Sequence, residues 1–121
     1  AGADLNLADH KGNAALHLAS GNGHVEVVRI LVEAGSGLNL ANKHGNAALH
    51  LASDNGHVEI VRILVEASAE VNLANRHGNA PLHLASDNGH VEIVRILVEA
   101  SAEVNLANRH GNAPLHLASD N

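Results

Sequence analysis

Between His57 and Ala67 the chain reads HVEIVRILVEA, and its apolar positions recur three and four residues apart. Val58, Val61, Leu64 and Val65 form one stripe, with Glu59, Arg62 and Glu66 opposite, which predicts an amphipathic helix. A shorter apolar pattern, APLHLASDN, follows at residues 80–88, where Leu82 and Ala85, flanked by Leu84, keep helical spacing. Pro81 and Pro114 suit the first turn of such a helix, where the missing N–H has no partner anyway. Gly23, Gly56 and Gly89 separate each short helix from the longer one. The following SAEVNLANRHG has the Asn, Gly and Ser content of a turn or hairpin. One such unit cannot bury its own stripe, so neighbours must stack.

The pattern repeats with a shift of 33 residues: GNAALHLAS begins at Gly12 and Gly45, and GNAPLHLAS at Gly78 and Gly111. Residues 54–88 and 87–121 are identical at all 35 positions. The chain is a repeat array. Its units are expected at about 1–33, 34–66, 67–99 and 100–121, the last truncated, within a single domain spanning 1–121.

GNAPLHLA (78–85), GHVEIVRILVEA (89–100) and AGADLN (1–6) carry a resemblance to the ankyrin repeat family over the whole chain. The resemblance implies an all-α solenoid of helix-turn-helix-hairpin units with a concave binding face, here three full repeats and a half. The chain departs from the family pattern at several positions. The capping Thr before the first helix is Ala14, Ala47, Ala80 and Ala113, a loss that costs about 1 kcal/mol per cap. The Gly ending the second helix persists as Gly2 and Gly35 but becomes Ser68 and Ser101. The turn Asp survives as Asp9 and becomes Asn42, Asn75 and Asn108. These changes are expected to soften individual units while sparing the fold. No capping repeat with a polar outer face is evident. Leu115, Leu117 and Ala118 are expected to lie exposed at one end, with Leu16, Leu31 and their neighbours at the other, which predicts end-to-end self-association.

Apolar residues make up 45% of the 121, and Phe, Tyr, Trp, Met and Cys are absent. The core must therefore consist of Leu, Val, Ile and Ala in many small, similar layers. Without Cys there are no disulfides, thiolate chemistry or cysteine zinc sites. No apolar run reaches the ~18 residues of a membrane span and no targeting signal is seen, so a cytoplasmic protein is expected. The formal charge of −6 is spread along the chain and argues against nucleic acid, which calls for a basic patch.

Eleven histidines invite a metal site. They fall into three registers: His17, His50, His83 and His116 in the first helix; His24, His57 and His90 opening the second; and His10, His44, His77 and His110 at the turn tips. Neighbours within a register lie about 8–10 Å apart, whereas one zinc ion holds each nitrogen at about 2 Å. Repeat-spaced histidines cannot share it, so no metal and no cofactor are expected. The seven serines all lie on the repeat, none in a GxSxG setting, and no carboxylate pair breaks the period. Catalysis needs one asymmetric, preorganised cluster; the expectation is a protein that is not an enzyme. The Glu26, Arg29, Glu33 and Glu59, Arg62, Glu66 rows read as a solvated face with weak pairs within each helix.

Binding remains. By resemblance, recognition falls to the turn tips and the exposed side of the first helix. The candidates are Lys11, Lys43, His44, Asn46, Ala74, Arg76, His77, Asn79, Asp87 and Asn88, repeated at Ala107, Arg109, His110, Asn112, Asp120 and Asn121. These residues hardly vary between units, which points to a consensus-like or engineered scaffold without a selected target, or a very recent duplication. The alternatives are a fragment of a natural adaptor of the family, or a substrate of an asparaginyl hydroxylase. The resemblance implies the last at Asn72 and Asn105, preceded by Leu64, Glu70, Val71 and by Leu97, Glu103, Val104.

Overall fold

The computed structural model describes residues 6–108, with side chains through Ser101. Among them are six helices and no strand: α1 (Ala15–Asn22), α2 (Val25–Glu33), α3 (Ala48–Asn55), α4 (Val58–Glu66), α5 (Pro81–Asp87) and α6 (Val91–Asn108). The short helices α1, α3 and α5 pack side by side in one row, and α2, α4 and α6 in a second. This is the expected all-α repeat solenoid.

The core is aliphatic throughout. Leu16, Val28, Leu49, Ile60, Val61, Leu64, Ile93 and Leu97 are at most 2% exposed, and each such burial contributes about 1.5–3 kcal/mol. The buried face of α4 is wider than its sequence stripe: Ile60 and Ile63 are inside, while Val58 and Val65 are only half-buried. A helix held between α2 and α6 buries two flanks as well as the side facing its own unit, and a single-helix pattern does not report that.

The short helices begin at Ala14, Ala47 and Ala80, whose methyl groups cap nothing. The histidine at the third helical position compensates in part. Nδ1 of His17, His50 and His83 accepts the N–H of the capping alanine at 2.9 Å in each unit. That fixes the tautomer in the first two units, because an Nδ1 that accepts leaves the proton on Nε2. His17 then donates from Nε2 to the carbonyls of Leu40 (2.9 Å) and Asn46 (3.1 Å), and His50 to that of Asn79 (3.2 Å), all in the following unit. The second histidine register points backwards: His57 donates to the Gly21 carbonyl and His90 to that of Asp54, both at 3.1 Å. Their rings lie so close to Gly23 and Gly56 (both φ 80°) that a Cβ there would come within 2.9 and 2.8 Å. Only glycine meets both demands.

Two expectations need correction. At the N-terminal end Leu16 is 2% exposed and Leu31 packs against the core, because both face the second unit. The apolar side chains that face outward there are Leu18, Val27 and Ile30, at 47%, 46% and 63%. Their counterparts one unit on are covered by α1 and α2, with Ile60 at 0% and Ile63 at 9%. The second correction concerns the turn after the second helix. It forms after α2 and α4, but α6 continues through residues 100–108, although these repeat residues 67–75 letter for letter.

Environment separates the two copies. After α4, Ser68 is forced to φ 76°, the position where Gly35 sits at φ 93°. The loop is then held by the Glu70 N–H on Asn39 Oδ1 (2.8 Å) and by burial of Ala69 and Val71. In α6 the residue equivalent to Ser68, Ser101, stays helical and its hydroxyl donates to Asn72 Oδ1 at 3.1 Å. That replaces the backbone N–H which the corresponding asparagines, Asn6 and Asn39, receive. The helix avoids a left-handed serine and lets Ala102, Glu103, Leu106 and Ala107 follow their intrinsic preference. Leu115, Leu117 and Ala118 lie outside the described residues.

Candidate interaction surface

Each unit opens with a tight turn organised by one Asx side chain. Asp9 Oδ1 accepts the N–H groups of Lys11 and Asn13, both at 2.9 Å. The Asn13 N–H first, and the Lys11 N–H and neighbouring His10 after it, hold this exposed carboxyl below the usual aspartate value against a small desolvation cost. Asn42 repeats the motif on His44 and Asn46, and Asn75 on His77 and Asn79. Replacing Asp by Asn does not weaken the turn. It adds a donor: Asn42 Nδ2 reaches Asn13 Oδ1, and Asn75 Nδ2 reaches Asn46 Oδ1, each at 2.9 Å. Adjacent tips are also joined through the backbone, from the Lys43 N–H to the Lys11 carbonyl and from Arg76 to His44, at 3.0 Å.

This ladder sorts the sequence candidates. Asn46 and Asn79 are half-buried and belong to the framework: Asn46 accepts from Asn75, and Asn79 offers its carbonyl to His50. Asn88 is exposed, but its amide bridges the carbonyls of Leu84 and Asp54 and the Asp54 carboxylate. Lys11, Lys43, His44, Ala74, Arg76, His77 and Asp87 are exposed. Among the described residues, no ion pair engages Lys11, Lys43 or Arg76. Asn72 sits on the exposed loop after α4, whereas Asn105 lies on the backbone of α6 rather than in a loop. Arg109, His110, Asn112, Asp120 and Asn121 lie outside the described residues, and Ala107 lies within α6.

The other rows of polar side chains hold units together. Arg29 pairs with Glu59 at 2.9 Å and Arg62 with Glu92 at 2.8 Å, each to the next unit's helix. Sequence spacing had suggested pairs within a helix; among the described residues, the longer contacts Arg29–Glu26 (3.9 Å) and Arg95–Glu92 (3.4 Å) are the ones of that kind. Being exposed, each inter-unit pair contributes about 0.2–1 kcal/mol. His50 is buried, and desolvation lowers its pKa despite the opposing carbonyls of Leu73 and Asn79. Two open clefts flank Ser68. One of about 420 Å³ lies along residues 68–74, and one of about 430 Å³ lies between α4 and α6 beside Arg62, Glu66 and Glu99. Among the described residues, no three His, Asp or Glu side chains converge as a metal site would require.

A family model described as ankyrin repeats (3 copies) matches residues 1–75, and one described as ankyrin repeats (many copies) matches residues 64–118. The chain belongs to the ankyrin repeat family. A search of curated proteins found no match. Ankyrin repeats are generally protein–protein interaction modules and typically non-enzymatic. In this ankyrin array His17, His50, His57 and His90, the turn asparagines Asn42 and Asn75, and Arg29 and Arg62 are taken up by contacts between units, and the tip side chains are left open. No described helix is long and apolar enough to cross a membrane.

Proposed function

We propose that this chain is a non-catalytic protein-interaction scaffold of the consensus-like kind, presenting its turn tips to a protein partner. The observation that carries the reading is the division of polar groups just described. Tip side chains project from a backbone ladder that does not depend on them, since the ladder uses main-chain groups and Asx residues alone. The identity of residues 54–88 and 87–121 supports a scaffold not yet shaped to one target. The test is a library varied at Lys43, His44, Arg76 and His77. Folding midpoints should move by under about 0.5 kcal/mol, and target-specific binders should be recoverable. Loss of folding on tip variation would sink the reading.

Two finer readings have specific support. The outward Leu18, Val27 and Ile30 favour end-to-end stacking of copies through this face. Sedimentation velocity should then show concentration-dependent species that Ile30→Glu abolishes; a single monomer at every concentration would overturn it. Asn72, on an exposed loop, is the better-placed substrate for an asparaginyl hydroxylase. Absence of a one-oxygen mass gain on Asn72 after incubation with such an enzyme would remove that reading.

A further inference from the structure

The two outermost tip positions of the three described turns hold His10 and Lys11, Lys43 and His44, and Arg76 and His77. Every one of these side chains is a cation or a histidine. The chain has 7 Lys and Arg against 13 acids, and among the described residues the basic side chains away from the tips are Arg29, Arg62 and Arg95. All three of those arginines contact glutamates. Among the described residues, the Lys and Arg charge outside ion pairs is thus collected along one edge. The acid that could have neutralised this edge has been exchanged for amide at Asn42 and Asn75. Asp9 remains, with one carboxylate oxygen occupied by backbone N–H groups.

We propose that this edge is a docking ridge for an acidic segment of a partner protein, held in polyproline II conformation with a carboxylate at every third residue. The proposal rests on the reading of the tips as an interaction surface and names the chemistry they select. Charge complementarity supplies the sign. Spacing supplies the register: stacked helices set the tips about 8–10 Å apart, and polyproline II advances about 9.3 Å in three residues, with those three-spaced side chains on one face. A β-strand would turn alternate side chains away. The backbone bonds from Lys43 to Lys11 and from Arg76 to His44 fix the row before any partner arrives, so little ordering entropy is spent on the scaffold side. A nucleic-acid strand fits less well. The chain has no aromatic residue on which bases could stack.

The test uses the full chain and a labelled peptide with glutamate at every third position in a proline–alanine background. Fluorescence anisotropy should show saturable binding that weakens about tenfold in Lys43→Ala, Arg76→Ala, and that falls further as salt shortens the screening length. Both positions are exposed, so the variant should retain its circular dichroism and folding midpoint. A peptide of the same composition with its glutamates adjacent should bind more weakly; equal binding would overturn the register. Tighter binding of a thymidine oligonucleotide of similar charge would overturn the assignment to protein. If the spaced peptide fails to bind while the tip library still yields binders to a neutral target, the acidic-segment proposal falls and the scaffold reading stands.

Discussion

The same substitution, made in two letter-for-letter identical segments, should have opposite effects on stability. Ser68 is held at φ 76° and is exposed, and the glycine at the same place one unit earlier, Gly35, has nothing within 4 Å of where a Cβ would sit. A left-handed conformation costs a non-glycine residue roughly 1–2 kcal/mol. Glycine removes that cost but gives back about 0.4–1 kcal/mol through a freer unfolded chain. Ser68→Gly should therefore stabilise by about 0.5–1 kcal/mol, or a few degrees in Tm for a chain of this length. At Ser101 the residue is helical and its hydroxyl is bonded to Asn72. There, glycine in a helix interior costs about 0.5–1 kcal/mol relative to alanine, and the hydroxyl's bond is lost as well. Ser101→Gly should destabilise by about 1 kcal/mol. Urea titrations of both variants and of Gly35→Ser, expected to lose about what Ser68→Gly gains, decide the matter. If Ser68→Gly and Ser101→Gly stabilise equally, the chain turns after α6 as it does after α4, and the account of an uninterrupted helix is wrong.

The buried His50 ties folding to pH. Its folded pKa lies below the ordinary 6.5 because burial disfavours the charged ring, so its contribution is fully present above about pH 6.5 and is lost as pH falls through the folded value, at a slope of at most about 1.4 kcal/mol per pH unit. Denaturant midpoints between pH 7.5 and 5 should fall for the parent and fall less steeply for His50→Asn. Ser36 is 6% exposed with an unpartnered hydroxyl, where the next unit has Ala69 at 7%; Ser36→Ala should stabilise by about 1 kcal/mol, and a lower melting temperature would show that the hydroxyl finds a partner. Ala80→Thr should add about 0.5–2 kcal/mol by capping α5, seen as a raised urea midpoint, since Ala80 is only half-buried. The same change at Ala47, which is 3% exposed, should gain less because the larger side chain has no room.

Whatever follows from one unit's own periodicity was legible in the sequence: the two helices, the glycine between them and the aliphatic core. The 33-residue shift supplied the stacking. What one unit cannot show is its neighbour. The partners of His17 are Leu40 and Asn46, those of Arg29 and Asn42 are Glu59 and Asn13, and each lies about one repeat away. The helical period made Arg29 look paired with Glu26, its neighbour at i−3. The substitution of Asp by Asn looked like a weakened turn because the second amide hydrogen-bonding group has no use within a single unit. The tip candidates were legible as a row, but their separation into open residues (Lys11, Lys43, Arg76) and framework residues (Asn46, Asn79) needed the ladder.

A repeated sequence does not produce repeated environments, and the differences are informative because composition is held nearly constant. His50 is 0% exposed, whereas His83, likewise set between two leucines, is exposed; burial lowers the pKa of the former. Val27 and Ile30 stand open where Ile60 and Ile63 are closed. Ser68 bends and Ser101 does not. In each pair the local code is shared or nearly so, and the larger difference lies in what stacks on either side. For a solenoid this means that interfaces, more than units, hold the free energy of folding. The groups that form those interfaces are then constrained by the stack. The tips contribute backbone and Asx side chains to the ladder but no Lys, Arg or His side chain. Lys43 and Arg76 can therefore be exchanged without disturbing the contacts that keep the array folded, and that freedom lets a partner be chosen there.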